Sequence, residues 1–112
     1  MKHRWATTYG AGLSLFGFLF LFSVPSQAHS KPASIFKANC ASCHGTDGNA
    51  NTAMGRSLRM RDLRSPDVQK RTDADLTDII TNGLATMPAY KDKLTKDQIQ
   101  QLVAYIRQIA KK

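Results

Sequence analysis

The amino-acid sequence predicts an all-α fold of three to four helices. Residues 95–109 place apolar side chains at helical spacing behind a capping motif, and residues 72–83 form a shorter segment of the same kind. The chain contains no alternating run of β-branched and polar residues, which is the pattern of a half-buried strand. The core is therefore expected to form from helices without a sheet.

The first 28 residues are expected to be an export signal. Two basic residues near the start precede an apolar run over residues 13–24, and the small residues Ser26 and Ala28 suit cleavage after Ala28. The alternative is an uncleaved membrane anchor, which needs roughly twenty apolar residues. We therefore divide the chain into a signal peptide, residues 1–28, and one periplasmic domain, residues 29–112.

This domain is small and poor in large apolar side chains. Removing 28 of the 112 residues leaves 84, and the aromatic side chains that remain are Phe36, Tyr90 and Tyr105. A chain of this size and composition is marginally stable alone and normally needs a disulfide, a metal or a cofactor to hold it together. The sequence therefore predicts that the core includes a non-protein group.

The domain is organised around C-A-S-C-H, which contains Cys40, Cys43 and His44. This is the spacing by which a c-type haem is attached: the thiols add to two vinyl groups while the backbone makes one turn, and the histidine is brought beneath the ring to ligate iron. A thioredoxin-like disulfide would need a βαβ context, which the sequence lacks. A zinc site would need four ligands, and only the distant His29 is available as a fourth.

The segments on either side of this motif have different patterns. A helix is predicted over residues 33–40, begun by Pro32 and with Phe36 facing the last helix. Residues 45–64 show neither helical nor strand periodicity, and a loop of that length normally wraps a functional group. Four arginines in this loop are candidates for pairing with haem propionates or, alternatively, for a solvated basic face: Arg56, Arg59, Arg61 and Arg64.

Capping residues mark the remaining helices. A short turn is predicted after Ser65, over residues 66–70, and a longer helix runs from its N-cap, Thr72, to Gly83. Its apolar face is expected to be directed at the haem. Residues 95–98 fit a capping box, so the last helix is predicted to begin there and to be the longest.

These features resemble those of the small soluble bacterial monohaem cytochromes c of class I. The resemblance covers about residues 32–110 and rests on C-A-S-C-H, on Phe36 four residues before the first cysteine, on the pair Met87-Pro88 and on L-V-A-Y-I-R near the C-terminus. It implies a class I cytochrome c fold, in which crossing terminal helices and their neighbours surround one covalently bound haem c.

The sequence departs from the family pattern at two points. Pro32 stands where the family usually has a glycine that lets the terminal helices cross closely, so Ala33 is expected to provide the small contact. The family often has a proline shortly after the motif whose carbonyl accepts a hydrogen bond from the ligand histidine. No proline occurs between Pro32 and Pro66, so the acceptor for His44 is not identified from the sequence.

His44 and Met87 are the two iron ligands that the resemblance implies. Met87 follows a helix and the Gly83 stop, and Pro88 biases Met87 toward an extended backbone, which stiffens the loop. Stiffness matters because a thioether is a weak ligand. Met60, in the loop after the attachment motif, remains the alternative ligand, and Met54 is interpreted as an incidental apolar contact.

The function that follows is one-electron transfer by a His/Met-ligated haem, without enzymatic turnover. Two alternatives remain: a haem enzyme or gas-binding sensor with an open or displaceable sixth site, and a bound cytochrome subunit of a larger dehydrogenase or oxidase. The domain has 14 basic and eight acidic residues, or a net charge of +6 before haem propionates. Acidic redox proteins are therefore the expected partners of a monomeric carrier, with peripheral membrane association possible and nucleic acid excluded by location.

The first prediction concerns processing and haem attachment. Because the leader and C-A-S-C-H occur together, the exported product should have the intact mass of residues 29–112 plus one haem, as measured by mass spectrometry. A haem that extracts into acidified organic solvent, or a mass that retains residues 1–28, would contradict the prediction.

Overall fold

The structure, a computed structural model, describes residues 31–112, so the predicted signal peptide lies outside the described residues. In this part of the chain the secondary structure is helical and contains no strand, which confirms the all-α prediction. Three helices have eight residues or more, and three are shorter. In order they are α1 (Pro32–Asn39), α2 (Ala41–His44), α3 (Ala53–Ser57), α4 (Pro66–Gln69), α5 (Asp73–Asn82) and α6 (Lys96–Ile109).

The terminal helices α1 and α6 pack against each other and form the centre of the protein core. Phe36 of α1 and Leu102 of α6 are the largest fully buried side chains, and the rings of Phe36 and Tyr105 lie 5.2 Å apart. The prediction that Phe36 faces the last helix is therefore confirmed. The role assigned to Ala33 is wrong: its side chain is exposed, and Ile35 and Phe36 provide the buried face of α1 instead.

The capping residues of α5 and α6 act as predicted. The Thr95 hydroxyl accepts a hydrogen bond from the backbone of Gln98, whose side chain accepts one from the Thr95 backbone. Thr72 and Asp75 make the same reciprocal pair, which holds the pKa of the Asp75 carboxyl below its ordinary value. These caps fix where each helix begins, and α6 is the longest helix of the described chain.

The loop over residues 45–64 contains more structure than its sequence predicted. Helix α3 lies within it, begun by Thr52, whose hydroxyl accepts a hydrogen bond from the backbone of Gly55. Farther along, the backbone N–H of Leu63 donates to the carbonyl of Gly48 at 2.8 Å and closes the loop on itself. Five residues are too few to produce a helical period, which is why the pattern did not reveal α3.

Helix α5 packs against α6 and contributes Leu76 and Ile80 to the same core. On its other side a cleft separates α5 from the motif in α2, and this cleft is the candidate site. Within residues 31–112, no helix is long and apolar enough to cross a membrane.

Candidate functional site

The attachment motif forms a single turn between two helices. Helix α1 ends at Asn39, and Cys40 interrupts it with φ −115° before α2 begins. The Cys40 carbonyl accepts hydrogen bonds from the backbone N–H groups of Cys43 and His44 at 3.2 and 2.9 Å. Because side chains three positions apart share one side of such a turn, both half-buried thiols line the same cleft.

His44 is the buried polar residue of this site, with 9% of its surface exposed. Its Nδ1 atom is buried and has no hydrogen-bond partner among the described residues. Burial lowers the pKa of the imidazole, which favours the neutral form that binds metals. A buried nitrogen without a partner is uncommon in a folded protein and suits a residue whose ring serves a metal.

The cleft has two lobes of about 230 Å³ each. The first lobe includes Cys40 and Cys43, and the second has an apolar wall formed by Val68, Leu76 and Ile79. Both lobes share five lining residues: His44, Leu58, Met60, Thr86 and Met87. The donor set therefore fits haem: two thiols for covalent attachment, a neutral imidazole, thioethers and apolar walls for a flat macrocycle.

Both candidate methionines line this cleft together with His44. Met87 is half-buried against the core, and Met60 is also half-buried. Met54, by contrast, is 50% exposed and does not line either lobe. The structure thus excludes Met54 from the site and brings both remaining candidates to it.

The Met87 backbone is held by a tight turn. Leu84 and Met87 pair through two backbone hydrogen bonds of 3.1 and 2.9 Å, with Ala85 between them in the left-handed region at φ 53°. Gly83, at φ 81°, packs directly under the turn, since a Cβ atom there would lie 2.6 Å from the Met87 carbonyl oxygen. Glycine is required at position 83 because of the positive φ and because of this close approach to the Met87 carbonyl.

Two residues that the sequence reading missed support the motif from below. The Thr52 hydroxyl donates to the Cys43 carbonyl at 2.9 Å while capping α3. Gly55 packs so closely that a Cβ atom there would lie 2.6 Å from the same oxygen. Threonine is a favoured N-cap residue, and Thr52 is the signal in the sequence that would have indicated this cap.

The arginines divide into two groups. Arg56 donates to Asn51, and Arg64 pairs with Asp62 at 2.9 Å, which lowers the pKa of the Asp62 carboxyl. The arginines that line the second lobe are Arg59, Arg61 and Arg71. Arg71 lies just before α5, outside the loop that the sequence pattern singled out, so it was not among the predicted candidates.

Comparison with known proteins identifies the family to which the chain belongs. A protein-family model described as cytochrome c oxidase, cbb3-type, subunit III matches residues 27–106. The chain belongs to the cytochrome c family. It is similar to cytochrome c6 of a Nostoc sp. strain, with 35% identity over 95 residues, covering 85% of this chain and 83% of that protein. It is also similar to the cytochrome c6-like protein of the same organism, with 33% identity over 105 residues, covering 89% of this chain and 92% of that protein.

A solved structure gives the same result for the fold. The structure of KustC0563 c-type cytochrome matches this cytochrome with a TM-score of 0.66 and 29% identity, covering 71% of this chain and 98% of that one. The prediction of a class I cytochrome c fold with covalently bound haem c is confirmed. The cytochrome is an electron-transfer protein and not an enzyme.

The turn beneath Met87 yields a prediction with its own control. Gly83→Ala should lower the free energy of unfolding of the holoprotein by at least about 1–2 kcal/mol, because alanine is strained at positive φ and its Cβ meets the Met87 carbonyl. The measurement is guanidinium denaturation followed by far-ultraviolet circular dichroism.

Ala85→Gly, in the same turn, should change stability in the other direction. It removes the left-handed strain of Ala85, partly offset by the greater entropy of glycine in the unfolded chain, so a gain of up to about 1 kcal/mol is expected. A Gly83→Ala protein that unfolds at the wild-type denaturant concentration would contradict this account of the turn.

Proposed function

We propose that this cytochrome is an exported one-electron carrier whose haem is attached through Cys40 and Cys43 and ligated by His44 and Met87. The observation that supports it best is that all four side chains line one lobe of the cleft. The haem supplies a reversible one-electron couple when bound, and the protein residues set its environment.

The two proposed ligands have complementary chemistry. The buried neutral imidazole of His44 has a free electron pair for the metal, and the soft thioether of Met87 favours the reduced state and so raises the potential. If His44 and Met87 both ligated the iron of a bound haem, the group would have no open position for a substrate. Electron transfer without turnover follows from this ligand set.

Met87 is preferred to Met60 because of how its backbone is held. Two hydrogen bonds to Leu84 and the fixed φ of Pro88 restrict the Met87 backbone on both sides. Met60 donates one backbone hydrogen bond to the Gly55 carbonyl, at 2.8 Å. A weak thioether ligand benefits most from the stiffer loop, so we assign Met60 to the apolar wall of the cleft.

The second lobe supports a role for arginine in holding the propionates. Arg59, Arg61 and Arg71 line it, and planar guanidinium groups suit carboxylates. Arg61 also lies 3.7 Å from Asp67, in an exposed pair that salt and solvent weaken. Leu58 and Leu84, which are 39% and 55% exposed, border the same lobe. This exposed apolar border is where electrons would enter and leave.

Export and partner choice rest on sequence features. The leader, residues 1–28, indicates the periplasm, where a net charge of +6 on residues 29–112 would steer a monomeric carrier toward acidic redox proteins. The same charge suits peripheral contact with an anionic membrane surface, and an exported chain does not meet nucleic acid.

A second candidate function is that of a bound subunit in a larger oxidase. The observation that favours it is the description of the matching family model, subunit III of a cbb3-type cytochrome c oxidase. A free carrier meets its partner by diffusion, whereas a bound subunit transfers electrons within a fixed complex. The rate of electron transfer should therefore depend on salt concentration for a free carrier and not for a bound subunit.

Replacing Met87 tests the ligand assignment. Met87→Ala should abolish the weak near-infrared sulfur-to-iron band of the oxidised protein, lower its reduction potential and admit CO to the reduced protein, because the thioether is lost. Absorption spectroscopy and a redox titration measure these changes.

Met60→Ala is the matched control, since Met60 lines the same two lobes. It should retain the band, the potential and the resistance to CO. If Met60→Ala removes the band and Met87→Ala leaves it, the loop after the attachment motif supplies the ligand and the assignment is wrong.

Ionic strength tests the proposed free carrier. The second-order rate of electron transfer to an acidic redox protein should fall steeply from 0.1 M to 1 M salt, as the Debye length shrinks from ~10 Å to ~3 Å. Stopped-flow absorption measures this rate. A rate that does not change with salt would contradict docking through the basic surface and would favour the bound subunit.

A further inference from the structure

One hydrogen bond joins the Met87 loop to the attachment motif. The hydroxyl of Tyr90 donates to the backbone carbonyl of Asn39 at 2.8 Å, across 51 positions of sequence. Asn39 is the last residue of α1 and directly precedes Cys40, whereas Tyr90 follows Met87 by three residues. The bond therefore links the two segments that carry the proposed attachment and distal-ligand groups.

The Asn39 carbonyl is available because the helix ends there. The last carbonyls of a helix lack partners within the helix and need them from elsewhere. At the end of α1, the Cys40 N–H donates back to the Phe36 carbonyl, and the N–H groups of Cys43 and His44 in α2 donate to the Cys40 carbonyl. Because the helix is interrupted after Asn39, the Asn39 carbonyl lacks a helical partner, and the Tyr90 hydroxyl supplies one.

Tyr90 is itself held firmly enough to act as a clamp. Its backbone N–H donates to the Ile80 carbonyl of α5 at 3.0 Å, and its carbonyl accepts from Lys93 and Leu94 at 2.9 Å each. Its ring is half-buried against the core and lines the first lobe of the cleft. Because the Tyr90 backbone is held in place, the bond from its hydroxyl to the end of α1 also restricts the Met87 loop that precedes Tyr90.

We propose that Tyr90 is a positioning residue that clamps the Met87 loop to the end of α1 and so makes the thioether resist displacement by other ligands. The inference rests on the proposed ligation by Met87. Only Pro88 and Ala89 separate the two residues, and the fixed φ of Pro88 limits how far the loop can move while Tyr90 remains bound.

The test compares Tyr90→Phe with the wild-type holoprotein. The change removes the hydroxyl and keeps the ring, so the fold is retained while the loop is released. Oxidised protein is titrated with imidazole, an external ligand that competes for the sixth position, and loss of the near-infrared sulfur-to-iron band is followed. Tyr90→Phe should show the band at the start, bind imidazole about tenfold more tightly and have a lower reduction potential.

Tyr105→Phe is the control, because it makes the same chemical change on a ring that packs against Phe36 outside the cleft. Its imidazole affinity should stay within about twofold of the wild-type value. A change of that size is smaller than the contribution expected from one hydrogen bond. Thermal unfolding followed by circular dichroism is measured on all three proteins. The helices of Tyr90→Phe should melt near the wild-type temperature while its band is lost at a lower one.

Two results would overturn the clamp: an unchanged imidazole affinity in Tyr90→Phe, or a loss of helix stability as large as the loss of the band, which would make the hydroxyl a general support of the fold. A wild-type protein without the band would instead refute ligation by Met87. The failure of the clamp and the failure of the proposed ligation are therefore distinguishable.

Discussion

The covalent attachment of a flat cofactor is the constraint on which the rest of this structure depends. Residues 29–112 carry only three aromatic side chains and so have little apolar material with which to form a core. The buried cluster lies mainly where α1, α5 and α6 meet, and beside it the chain lines a cleft with apolar side chains and the two thiols. A haem bound in this cleft would complete the hydrophobic core on that side, and thioether bonds to Cys40 and Cys43 would hold it there covalently.

Near the cleft, the secondary structure mainly holds the backbone in position and contributes little buried apolar surface. Short helices, tight turns and side-chain caps position the motif, the Met87 turn and the loop between them. Arg107 of α6 holds another backbone segment in the same way. Its guanidinium donates to the Gln69 carbonyl at 2.9 Å and to Asp73 at 3.0 and 2.9 Å, and thereby fixes the turn that carries Arg71 to the cleft.

The sequence predicted those parts of the structure in which local chemistry decides the conformation. The N-cap Thr72, the capping box at Thr95 and the apolar spacing of α6 are local signals, and the helices begin where these signals placed them. The spacing of C-A-S-C-H likewise identified the cofactor. What could not be predicted depends on distant contacts: the support of Cys43 by Thr52, and the bond from Tyr90 to Asn39.

The error at Ala33 has the same origin. A family pattern suggested a small side chain at the crossing of the terminal helices, but the helix presents Ile35 and Phe36 to α6 instead. The packing of the whole helix sets which of its residues face the core. The replacement of the family's glycine by Pro32 does not reveal how α1 is rotated about its own axis. Arg71 was missed for a related reason, since the hydrogen bond from Arg107 of α6 to the Arg71 carbonyl joins residues 36 positions apart.

The central proposal is that the haem forms part of the protein core. The most direct test is the far-ultraviolet circular dichroism of residues 29–112 carrying Cys40→Ala and Cys43→Ala, purified without haem, against the holoprotein at the same temperature. The account predicts a strongly helical holoprotein with a cooperative melt, and a haem-free chain with little helix and no cooperative transition. A haem-free chain that keeps the full helical signal and melts cooperatively would contradict it.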